Sequence, residues 1–137
     1  MSLLGSIFGW LIVAGLAVTL LNYPIKVIYR KKIARLPKDS VLRRRYGLVQ
    51  RFVVQYHRFF AGFTTVAMIV HLVIQLQYRW LSWTGLVTAI LMLCNGFLGG
   101  YGHYIKRKKK SAWLYIHRTI AVLMIAALAV HLATGGR

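Results

Sequence analysis

Four histidines carry the chemistry open to this chain. His57 and His71 stand 14 residues apart in an apolar segment that begins Tyr56-His57-Arg58-Phe59-Phe60-Ala61-Gly62 and ends Val70-His71-Leu72. His117 and His131 repeat the spacing, from Ile116-His117-Arg118-Thr119-Ile120-Ala121 to Val130-His131-Leu132. Fourteen residues of α-helix rise about 21 Å and come within about 40° of four full turns. Both imidazoles of each pair therefore leave their helix by one face, at two depths. A histidine inside a membrane span is costly and by default marks function. A lone one is as readily an interhelical hydrogen bond, but four matched in spacing and surroundings are not explained that way. Zinc or copper would want ligands converging on one point, often with carboxylate or thiolate. Two levels, each with two imidazoles and no acid, fit bis-imidazole haem of the b type. The chain has no Cys-x-x-Cys-His, so covalent attachment is excluded.

The elements that must position these residues follow from composition. The 137 residues are 58% hydrophobic, and the mean hydropathy of +0.59 is too high for a soluble domain with an ordinary surface. The formal charge is +18, with Asp39 the sole carboxylate, yet long stretches carry no charge at all. Charge confined to connections is the pattern of a membrane protein. The expected fold is all-α: an integral membrane four-helix bundle forming a single domain over residues 1–137. Its spans are expected at about 3–21, 52–77, 84–104 and 113–133. Met1-Ser2-Leu3-Leu4 leads into apolar sequence without a basic n-region, so no cleaved signal is expected. Cys94 is the one cysteine and reads as a small packing residue.

Eleven cations lie between Pro24 and Arg58, alternating with apolar residues as far as Leu36-Pro37. An amphipathic helix at the membrane interface is expected there. Asp39-Ser40 then reads as the N-cap of a helix running from Val41 straight into the second span. The run Lys106-Arg107-Lys108-Lys109-Lys110 fills the third connection. The second connection, with Trp80 and Trp83 at interface positions, and the tail hold one cation each, Arg79 and Arg137. By the positive-inside rule the two basic connections are cytoplasmic and both termini face out. Spans two and four then run in the same direction. His57 shares the depth of His117 near the cytoplasmic side, and His71 that of His131 near the outer side. The basic face is assigned to membrane lipid and to docking of an acidic redox partner, with no nucleic acid expected.

Further features sit beside the histidines. Arg58 and Arg118 each follow an inner histidine, where they either pair with haem propionates or anchor their helix ends. Gly62 and Ala121 lie four or five residues beyond the same histidines and leave room for a flat ligand. Gly85 and Gly99 on the third span are again 14 apart, which would admit porphyrin edges at two depths or reflect helix packing alone. His103, in Tyr101-Gly102-His103-Tyr104, reads as an interfacial residue or as a proton donor at a quinone site.

Two helices with two histidines each at spacing 14 resemble the di-haem core of membrane b-type cytochromes. The likeness is to the Rieske-type cytochrome b core and to the ferric reductase-like transmembrane domain. It covers spans two to four. It implies two non-covalent haems b, one on His57 with His117 and one on His71 with His131, carrying electrons across the membrane. The chain departs from a complete ferric reductase in having no flavin or nicotinamide segment after span four. It departs from the ascorbate-dependent cytochrome b561 arrangement in placing its ligands on two helices. The expected function is transmembrane electron transfer, as a cytochrome or the membrane subunit of an oxidoreductase. A cytoplasmic flavin or iron–sulfur protein is the expected partner, and the prokaryotic cytoplasmic membrane the expected location. A quinol dehydrogenase subunit with bound quinone and a non-redox membrane scaffold are the alternatives.

Overall fold

The computed structural model describes residues 3–78, 82–107, 109 and 111–135. Arg79, Trp80, Lys108, Lys110 and Arg137, which entered the charge and interface assignments, lie outside the described residues. Among those described the fold is all-α. Helix α1 covers Leu3–Leu20, α2 Asn22–Lys31, α3 Val41–Tyr78, α4 Trp83–Gly100 and α5 Ala112–Ala133. Four helical stretches are long and apolar enough to cross a membrane: Leu3–Arg35, Val41–Tyr78, Trp83–Ile105 and Ala112–Ala133. Their outward surface is apolar, with Phe97 78% and Phe59 67% exposed. The buried hydrophobic positions are few: Ala67, Met68, Ala89, Met92 and Met124, with Ile12, Leu16, Ile33 and Val53. A protein facing hydrocarbon has this distribution, because lipid tails solvate exposed phenylalanine as well as a core would.

Pro24 explains the joint between α1 and α2. It has no N–H to give to the carbonyl of Leu20, and its ring crowds that carbonyl. The ladder still passes through Leu21, which donates to Ala17 at 3.2 Å and accepts from Ile25 at 3.1 Å. The two helices therefore follow one another with a single residue between them. Helix α2 ends at Lys31, earlier than the charge pattern anticipated. Lys32 leaves the helical region (φ −120°, ψ −56°), and a 3-10 turn at Ile33–Arg35 tucks Ile33 out of solvent. Helix α3 begins at Val41, as the Asp39-Ser40 reading anticipated, with Arg44 donating to the carbonyl of Ser40. At 38 residues it is about 57 Å long, nearly twice the ~30 Å hydrocarbon layer. Its arginine-rich first third extends beyond the apolar stretch.

The chain divides into two compact units, residues 9–67 and residues 1–8 with 68–137. In the first, α1 meets α3 where Gly15 faces Thr64: a Cβ at Gly15 would collide with Thr64 Oγ1. Thr64 is 1% exposed and its hydroxyl donates to Phe60 O at 2.6 Å. Rotation away from an added methyl would break that bond. We expect Gly15→Val to destabilise this contact by about 1–3 kcal/mol, the usual cost of overpacking, read as a lower melting temperature in detergent. Gly47→Val, with nothing within 4 Å of its Cβ position, is the control and should melt near wild type.

In the second unit α4 and α5 pack along one another. Ser82 caps α4, its hydroxyl accepting from the Gly85 N–H at 3.2 Å. After Gly100 the helix loosens into a π turn over Tyr101–Ile105, in which Lys106 donates to Tyr101 O at 3.0 Å. The Trp113 ring lies against Gly102, where a Cβ would overlap it. The indole N–H of Trp113 donates to Lys109 O at 2.9 Å.

Candidate functional site

All four span histidines are half-buried, and each engages a neighbouring helix through the same ring nitrogen. His57 Nδ1 lies 3.0 Å from Thr19 O of α1. His71 Nδ1 lies 3.0 Å from Gly5 O of the same helix. His117 Nδ1 lies 3.1 Å from Asn95 O of α4, and His131 Nδ1 lies 3.0 Å from Thr84 Oγ1 at the start of α4. A carbonyl can only accept, so the first three rings carry their proton on Nδ1. For His131 either the ring or the threonine hydroxyl donates, and Thr84 Oγ1 is itself 2.9 Å from Ser82 Oγ.

The sequence accounts for this geometry. Helix carbonyls keep a second lone pair after the i→i+4 bond, so a helix edge can take one more donor wherever small side chains expose it. Gly5 and Thr19 are such positions and are themselves 14 residues apart. Helix α1 thus offers acceptors with the period of the histidines on α3. On the other side Gly85 and Gly99 supply clearance. A Cβ at Gly85 would stand 2.9 Å from His131 Cε1, and one at Gly99 would stand 3.4 Å from His117 Cε1. Both glycines therefore touch imidazole edges directly. Trp113, one turn before His117, flanks that ring with centroids 6.3 Å apart.

The remaining sequence candidates take simpler places. Gly62 has nothing within 4 Å of its Cβ position, so the side of α3 beyond His57 is open. Arg58 and Arg118 are exposed. His103 sits in the π turn with its ring edge-on to Tyr104, centroids 4.8 Å apart, and Cys94 is exposed. The sequence expectations assign no acceptor role to Gly5, Thr19, Thr84 or Asn95. The 14-residue interval between Gly5 and Thr19 was the signal available for two of them.

Among the described residues no three His, Cys, Asp or Glu side chains gather as a metal site would require. A metal-ligating histidine characteristically donates its second ring N–H to a carbonyl or comparable acceptor, which fixes the tautomer and raises the basicity of the ligating nitrogen. Compared with known protein families, curated proteins and solved structures, the chain has no match.

Proposed function

We propose that this protein is a membrane cytochrome that carries electrons between the two faces of a bilayer on two haems b. His57 with His117 would hold one and His71 with His131 the other, each through Nε2. The observation that carries this reading is the uniform engagement of Nδ1 on all four rings. Such engagement supports metal ligation through the opposite nitrogen wherever the ring is the donor, as it is at the carbonyls facing His57, His71 and His117. When bound, haem iron supplies a reversible ferric–ferrous couple. The chain's own part is to hold the imidazoles, set their basicity and keep the surroundings apolar. The pairing of His57 with His117 rests on the parallel run of spans two and four read from the charge pattern.

In this reading both termini face outward, and the segment from Lys26 to Arg51, with the run after Ile105, faces the cytoplasm of a prokaryotic cell. That basic face receives a flavin or iron–sulfur partner. Arg58 and Arg118 stand at the cytoplasmic level, where propionates would pair with them. The test is the reduced-minus-oxidised spectrum of protein purified from cells supplied with haem precursor. Two b-type haems per chain and two resolved midpoint potentials are expected. Protein without Soret or α bands would leave a non-redox scaffold whose histidines only tie helices together.

A further inference from the structure

Within the unit of residues 9–67, a cleft of about 670 Å³ lies between α2, the linker that follows it and the first third of α3. Five cations line it: Lys26 from α2, Lys38 from the linker, and Arg43, Arg44 and Arg51 from α3. No carboxylate is among the lining residues. Like charges around one cleft repel one another, and an anion placed among them converts repulsion into attraction. Clefts of roughly 300–1,000 Å³ are of small-ligand size.

The walls are tied in place rather than merely adjacent. Arg43 Nη1 donates to Leu36 O at 2.7 Å, using one of the five N–H donors of its guanidinium. Tyr46 OH donates to Ile25 O at 3.2 Å, and the rings of Tyr29 and Tyr46 stack with centroids 6.3 Å apart. These contacts brace α2 and the linker against α3. On α3 the lining positions fall in one helical stripe. Along that stripe the cations Arg43, Arg44 and Arg51 are interspersed with the apolar side chains of Leu48 and Val54. Gln50 adds a buried amide oxygen with no hydrogen-bond partner among the described residues.

We propose that this cleft binds a phosphate-bearing ligand with at least two negative charges. The phosphates meet the guanidinium groups, whose planar forks suit phosphate oxygens, and the carbon skeleton follows Leu48 and Val54. An anionic phospholipid headgroup and a soluble phosphate ester share this chemistry.

Native mass spectrometry of the purified full chain in neutral detergent is the test, with diphosphatidylglycerol and inorganic pyrophosphate as probes. Arg44→Gln combined with Arg51→Gln removes two exposed cleft charges. Lys31→Gln combined with Lys32→Gln removes two exposed charges outside the cleft. Wild type should hold one probe molecule per chain. The cleft variant should bind about thirtyfold more weakly, since each basic residue near an anionic group contributes roughly a factor of five, and the outside variant should bind like wild type. Retention of the lipid alone identifies a headgroup as the source, whereas retention of pyrophosphate as well identifies soluble phosphate. Equal losses in both variants, no loss in the cleft variant, or binding of neither probe would overturn the site. Arg44→Lys with Arg51→Lys separates charge from folding. Recovered binding supports the site, and loss of binding with the helical circular dichroism intact overturns its dependence on charge. Ligand mass is read independently of haem content.

Discussion

His131→Ala is expected to lower haem content from about two per chain to about one, with the surviving haem spectrally unchanged. His71→Ala should remove the same haem, and His57→Ala and His117→Ala should each remove the other. The decisive measurement is the combination. If His71 and His131 serve one haem, the double variant His71→Ala/His131→Ala loses no more than either single change. His71→Ala/His117→Ala would then lose both haems. Such grouping distinguishes residues acting as a unit from residues acting independently. Pyridine haemochrome assay against protein concentration reads it directly. Loss of both haems in His71→Ala/His131→Ala, with one retained in His71→Ala/His117→Ala, would show that the pairs are crossed.

Gly85→Val should have the next largest effect. A Cβ at Gly85 falls 2.9 Å from His131 Cε1, inside the closest approach of real carbon atoms, and valine adds two branches to it. The imidazole must swing, and the 3.0 Å contact between its Nδ1 and Thr84 Oγ1 is lost. Disrupting the partner of a ligating histidine typically costs 10–100-fold in affinity, an effect of roughly that order. Preparations of Gly85→Val should therefore lack the haem assigned to His71 and His131 and retain the other. Gly99→Ala places its methyl 3.4 Å from His117 Cε1, a tight but tolerable contact, and should shift a midpoint potential without removing haem. Gly96→Ala meets nothing within 4 Å and is the silent control. Full haem content in Gly85→Val would show that His131 does not ligate from the position it occupies here.

Much of the architecture is legible in the sequence because it is local. Charge-free stretches of membrane length give four helical stretches able to span a bilayer, and their limits depend on residues within the stretch: Asp39-Ser40 before Val41, Ser111 before Ala112. The spacing of His57 and His71, and of His117 and His131, is also local, since 3.6 residues per turn fixes what 14 residues do. Sequence alone therefore brought each pair of imidazoles to one helix face. It also singled out Gly99, which the structure places against His117.

Tertiary packing decided which nitrogen of each ring is used. That choice depends on which carbonyl of another helix arrives beside His57 or His117, and helix register is set by distant contacts such as Gly15 against Thr64 and Gly102 under Trp113. No residue type announces a backbone carbonyl, so Asn95 carried no mark of the role, and Gly5 and Thr19 only their 14-residue interval. The basic segment shows the same division. Eleven cations could be counted from Pro24 through Arg58, but only the return of the linker onto α3, fixed by Arg43 on Leu36 O and Tyr46 on Ile25 O, gathers five of them around one cleft. Periodicity is a property of one helix, whereas a binding site belongs to the register between helices.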